Sequence, residues 1–152
     1  MPRWPVKPET WKPTDTAYIV PNVGRVECVA KFIKTETEGT GKHYAEPHGP
    51  WVENLRTHWE VTLTFNGQSI TSPFSQGSAY SVPPTAQTVA SCLASDAQAG
   101  TEEFEEFASE YGYDSDSRKA YAVWEECRAI ELKFRRMFGA HFDAMCEWAN
   151  DQ

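Results

Sequence analysis

The sequence predicts an α+β fold, with a small antiparallel sheet from the N-terminal half packed against a C-terminal set of about four helices. Three observations lead there. Strand-like alternation is confined to residues before about position 75. Apolar spacing changes to the helical period after Pro83. The strands come first and the helices after, with no βαβ interleaving, so antiparallel pairing is the natural arrangement. The 152 residues fit one domain. It divides into an extended arm (1–16), a β-rich part (17–82) and a helical part (83–152).

In the arm, Pro2, Pro5, Pro8 and Pro13 bar a regular helix. Trp4 and Trp11 are expected to pin it to the core. Residues 18–20 read as a short strand ending at Pro21. Residues 25–34 alternate, with Val26, Cys28, Ala30 and Phe32 on one face and Val29 and Ile33 on the other. Residues 35–57 contain Gly39, Gly41, Pro47, Gly49 and Pro50 and read as a long loop, anchored through Trp51, Val52 and Leu55. Loops of that length are uncommon and often functional.

The clearest local signal is a hairpin. Trp59, Val61, Leu63 and Phe65 alternate with His58, Glu60, Thr62 and Thr64. Asn66-Gly67 follows, a dipeptide suited to the two positive φ angles of a type I′ turn. Residues 68–74 return as the partner strand, and Pro73 confines that strand to an edge or its end. Residues 75–81 read as a small-residue loop.

Four helical segments follow. Thr85 caps the first, which carries Ala86, Val89, Ala90, Leu93 and Ala97 on one face and stops at Gly100. Thr101 caps the second, where Phe104, Phe107, Ala108 and Tyr111 share a face and Gly112 ends it. Asp114 or Ser115 caps the third, which runs to Phe138 with a stripe of Ala120, Val123, Cys127, Ile130, Phe134 and Met137. The fourth, 140–149, offers Phe142, Met145, Cys146 and Ala149.

The charge is lopsided. Of the formal −8, residues 1–100 contribute little, with eight Lys/Arg against nine Asp/Glu, whereas residues 101–152 carry six against thirteen. Such a field disfavours nucleic acid and membrane surfaces and attracts basic protein patches. Cys28, Cys92, Cys127 and Cys146 form no CxxC pair and read as small buried hydrophobes in a reducing cytosol. The first residues show no apolar signal core. No apolar run approaches a membrane span.

The densest charge lies in 101–116, which holds Glu102, Glu103, Glu105, Glu106, Glu110, Asp114 and Asp116 and no Lys or Arg. Like charges repel, so a fold has no need of such a face. One reading is a solvated surface. The sharper one is a site for a basic partner, because Lys and Arg accept carboxylates where they normally take phosphates. Tyr111 and Tyr113 would add aromatic anchors.

Other chemistries have weaker signatures. His43, Glu46, His48 and His58 show no zinc spacing, and no metal or other cofactor is expected. The run 114–117 resembles the start of a calcium loop, but Lys119 stands where glycine is required. Ser75 and Ser78 belong to no GxSxG. Glu102 with Glu106 on an exposed helix would lack the shifted pKa of an acid–base pair. No catalytic residue is assigned. Arg3, Trp4, Lys7, Trp11 and Lys12 interleave charge and rings as single-strand binders do. That supports an alternative: a single-stranded nucleic-acid-binding or replication accessory protein using the arm. The net acidity argues against direct nucleic-acid binding. Arg128, Lys133, Arg135 and Arg136 read as partners of Glu125, Glu126 or Glu131.

The segments PFSQGSAY (73–80), SCLASDAQ (91–98) and FEEFASEYGYDSDSRKAY (104–121) resemble a family of small proteins encoded by bacteriophages and prophages. The resemblance covers about 58–138 and leaves out the arm and the 35–57 segment. It implies a bacterial host cytosol under phage attack. By analogy with small acidic phage proteins, it implies a non-enzymatic inhibitor of host defence, an anti-CRISPR protein acting as a DNA mimic. Its partner would be a basic nucleic-acid-binding surface of a CRISPR effector.

Overall fold

The computed structural model describes residues 16–44, 51–77, 83–112 and 117–152, with the backbone alone described for 36–44 and 51–55. The arm before Thr16, with its two tryptophans, lies outside them.

The fold is α+β. Four strands, β1 (Ala17–Val20), β2 (Gly24–Tyr44), β3 (Trp51–Phe65) and β4 (Gln68–Gly77), form an antiparallel meander in sequence order. The β3–β4 turn is the expected one, with φ of 49° at Asn66 and 79° at Gly67. The alternation in β3 does what period two requires. Trp59, Val61, Leu63 and Phe65 are buried, while their neighbours point to the helix-free face. In β2, Val26 and Cys28 are buried and Val29 and Ile33 exposed.

The 35–57 segment is not a loop. Strand pairing continues through Thr35↔Thr57, Glu36↔Arg56 and Thr37↔Leu55, and resumes at Lys42↔Glu53 through Tyr44↔Trp51. A register shift between Thr37 and Lys42 takes up the extra β2 residues around Gly39 and Gly41. Backbone pairing, which hydropathy does not report, extends the ribbon. Ser75, Gln76 and Gly77 likewise belong to β4, not to a loop, because they pair with His58, Thr57 and Arg56.

The helices are α1 (Ala86–Ala99), α2 (Phe104–Glu110), α3 (Arg118–Phe138) and α4 (Phe142–Asn150), with a 3-10 turn at Gly139–His141. Three of them, α1, α3 and α4, share the main core with the sheet, so the layer against it is three helices and not about four. The seven-residue α2 packs elsewhere. The expected stripes of α1 and α4 are buried, as are Ala120, Cys127, Phe134 and Met137 of α3. Trp124, Phe138 and Trp148 join them. Rings bind the layers together, with Phe65 4.8 Å from Phe138 and Tyr18 5.5 Å from Trp148.

The caps differ in part. Thr85 caps α1 as expected, its hydroxyl accepting from Thr88 N at 3.2 Å. Thr101 does not cap α2; its hydroxyl donates back to Gln98 O at 2.6 Å, closing the end of α1. The N-cap of α3 is Ser117, accepting from Ala120 N at 3.1 Å, not Asp114 or Ser115. Cys92 is exposed rather than buried, since it faces away from the stripe of α1.

The outer edge of β4 is guarded. Lys133 donates to Thr71 O at 2.9 Å, and the Ser72 hydroxyl donates to Pro73 O at 2.9 Å. Strand backbones alternate direction, so Thr71 and Pro73 present their carbonyls to the same side, and Pro73 has no N–H to offer. No helix among the described residues is long and apolar enough to cross a membrane.

Candidate functional site

The sequence of α2 gives it two unlike faces. Phe107 and Ala108 are buried and Phe104 half-buried. Phe104 and Phe107 pack with Ala99, Val123, Trp124 and Cys127 in a small cluster separate from the main core. Two contacts fix the bracket. At Gly100 an added Cβ would stand 2.4 Å from Cys127 O, so α1 meets the α3 backbone where only glycine fits. Trp124 Nε1 donates to Glu102 O at 3.0 Å, tying α3 to the turn before α2.

With its apolar side so held, α2 turns Glu105, Glu106 and Glu110 to solvent, together with Glu103 at its N-cap. Glu105 and Glu106 lie in the first turn, where the helix dipole favours them. Glu102 is different. Its Oε1 is shielded from solvent and that oxygen has no hydrogen-bond partner among the described residues. Its carboxyl is pushed up to about 7, first by burial, then by sharing with the Glu110 carboxyl and by the charges of Glu110 and Glu106. Of the expected binding residues, Glu102, Glu103, Glu105, Glu106 and Glu110 are thus brought together. Tyr111 stands beside them, 54 % exposed, with its ring 4.9 Å from Phe107. Burial, and then Glu110 and Glu102, raise its phenol above the usual value. Tyr113, Asp114 and Asp116 lie outside the described residues.

The nearby cations are engaged elsewhere or stand apart. Arg135 pairs with Glu131 at 2.6 Å and lies over the Phe142 ring at 4.2 Å. Arg128 lies over the Trp124 ring at 5.0 Å. Lys133 is bonded to β4. Among the described residues, no Lys or Arg forms an ion pair with Glu102, Glu103, Glu105, Glu106 or Glu110.

Sequence reading missed Tyr121. It is 48 % exposed and packs against Phe104 at 5.3 Å and Trp124 at 5.4 Å. Glu125, one turn on, holds its phenol above the usual value through a hydrogen bond and its charge. The available signal was the spacing of Tyr121 and Trp124, which share a side of α3 just off the stripe at Ala120 and Val123. Through Phe104 the ring of Tyr121 adjoins α2, so Tyr111 and Tyr121 are the exposed rings beside the glutamates, with Glu125 and Arg128 both near Tyr121.

The histidines do not converge. His43 pairs with Val52, which is six residues along β3 from His58, or about 20 Å of strand. His48 and Glu46 lie outside the described residues. Among the described residues no group of three His, Cys, Asp or Glu is placed to hold a metal ion.

Comparison with protein families, curated proteins and solved structures finds no match for this chain.

Proposed function

We propose that the protein is a non-enzymatic inhibitor that docks its α2 face on a basic nucleic-acid-binding surface of a host protein, a CRISPR effector in a bacterial cytosol. The observation that carries this reading is the set of exposed glutamates on α2 without ion-pair partners among the described residues. Burial first, then the shared Glu110 carboxyl and the charges of Glu110 and Glu106, raise the Glu102 carboxyl to about 7. A cationic receptor would relieve the repulsion among these carboxylates and steer association. Tyr111 and Tyr121 would supply the desolvated anchors that charge alone does not. The phage setting rests on the resemblance of 73–80, 91–98 and 104–121 alone.

The test is phage plating on a CRISPR-competent host expressing the chain, paired with binding to the purified effector. Wild type restores plating and binds, more weakly as salt rises. The triple reversal Glu103→Lys, Glu106→Lys, Glu110→Lys loses both and keeps its circular-dichroism spectrum. Inhibition that survives the reversal reduces the face to a solvent coating. The alternative role in single-strand binding uses Arg3, Trp4, Lys7, Trp11 and Lys12, outside the described residues. Deleting residues 1–12 and measuring oligonucleotide affinity across salt separates it from the docking role.

A further inference from the structure

A wedge-shaped groove of about 900 Å³ opens between α1, α3 and the β3–β4 end of the sheet, away from the exposed face of α2. Trp59, Phe74 and Ile130 supply an apolar floor. The Trp59 indole N–H, buried in that floor, has no acceptor among the described residues. The walls are Thr88, Cys92 and Asp96 of α1 and Glu126, Ala129 and Lys133 of α3. The two helices touch at Gly100 and Cys127. Asp96 is one turn from that contact and Glu126 is adjacent to it, so two carboxylates stand at the narrow end of the wedge.

Three features favour a cation at that end. Asp96 and Glu126 lie on opposite walls and repel each other, and neither has an ion pair among the described residues. Asp96 keeps a solvent-facing surface, yet the groove walls desolvate its carboxyl and, with the Glu126 charge, raise it to about 6. Asp96 also sits in the last turn of α1, where the helix carbonyls add negative potential. The other titratable groups facing Asp96 are Cys92 on its own helix, Cys127 on α3 and Tyr111 past α2. The nearest cation on the α3 wall, Lys133, is seven residues or about 10 Å from Glu126 and is held by Thr71 O. Lys34, His58 and Glu60 line the sheet side.

We propose that the wedge binds a small amphiphilic amine, with its ammonium between Asp96 and Glu126 and its apolar body on Trp59, Phe74 and Ile130. Grooves of this size with an apolar floor and few convergent polar groups are the usual form of a small-molecule site. The groove shares no lining residue with the α2 face.

The test is titration of the full chain with 4-phenylbutylamine and with the isosteric anion 4-phenylbutyrate, followed by the indole N–H resonance of Trp59. The amine should shift that resonance saturably and bind at least ten-fold tighter than the anion. Its affinity should fall at least several-fold from pH 7.5 to pH 5, as Asp96 takes up a proton. Asp96→Asn with Glu126→Gln should weaken it at least ten-fold, and Cys92→Trp, which fills the groove from an exposed position, should abolish it. Glu103→Lys should leave it unchanged. Equal binding of amine and anion, no saturable shift, or full affinity in the double variant overturns the assignment.

Discussion

Trp124 donates its indole N–H to the backbone oxygen of Glu102 at 3.0 Å, across 22 positions of sequence. That bond joins the first third of the long α3 helix to the turn from which the acidic face begins. Trp124→Phe keeps most of the ring and removes the donor, leaving a part-buried carbonyl unsatisfied. The expected loss is about 1 kcal/mol of stability, read from the urea midpoint. Trp124→Ala removes the ring as well and should cost about 3–5 kcal/mol. Equal stabilities for the two variants would mean that the hydrogen bond and the ring contribute nothing separable.

Gly100→Ala should be among the more damaging single-methyl changes in the chain. The new Cβ would stand 2.4 Å from Cys127 O and 2.8 Å from Arg128 N, both backbone atoms of α3. Separating two packed helices costs about 1–3 kcal/mol. Gly112→Ala meets nothing within 4 Å and suffers only its positive φ of 78°. Thermal unfolding of both variants checks the order, with Gly100→Ala melting lower.

Stability should fall as pH rises from about 4.5 to about 7. Glu102 is raised from 4.5 to about 7 in the folded chain, and Asp96 from 3.8 to about 6. Between those limits the folded state holds protons that the unfolded chain has released. The contribution is therefore complete below the unfolded value and lost as pH passes the folded one. Urea midpoints measured from pH 4 to 8 should decline across this window. Glu102→Gln should flatten the upper part of the curve. A curve rising from pH 5 to 7, or one unchanged by Glu102→Gln, contradicts the assignment.

The guarded edge of β4 predicts a solubility effect. Pro73→Val with Lys133→Ala would restore an N–H and uncover Thr71 O on an edge strand. The double variant should self-associate at concentrations where wild type keeps its sedimentation coefficient. Unchanged sedimentation would show that neither residue protects the edge.

Much of the sheet and helix layer was legible because burial imposes a period. Trp59 to Phe65, the stripe of α1 and four of six α3 stripe positions carry that period in full view. The paired strands in 35–57 were not legible. Their pairing is a backbone property, and Thr, Glu, Gly and Lys in alternation give hydropathy nothing to detect. The cap at Ser117 was missed because Asp114, Ser115 and Asp116 precede it and several could serve, and Thr101 was misassigned because α2 starts only at Phe104, with Glu103 at its N-cap. On the acidic face, the exposed glutamates were visible from composition. The shielding of Glu102 and the inclusion of Tyr121 were not, since both depend on how α3 crosses beneath α2. The wedge at Asp96 and Glu126 joins residues thirty positions apart through one glycine contact, which no local pattern announces.

The cluster beneath α2 shares no residue with the one that joins the sheet to α1, α3 and α4. Cooperative units of this kind open on their own, at less than the free energy of global unfolding. Hydrogen exchange should therefore release the α2 amides well before those of β3. The same partition lets the glutamate-bearing turn drift in composition, or be replaced outright, while the rest of the chain keeps its shape. A lineage under pressure to follow a changing receptor could retune its reach there without rebuilding the scaffold.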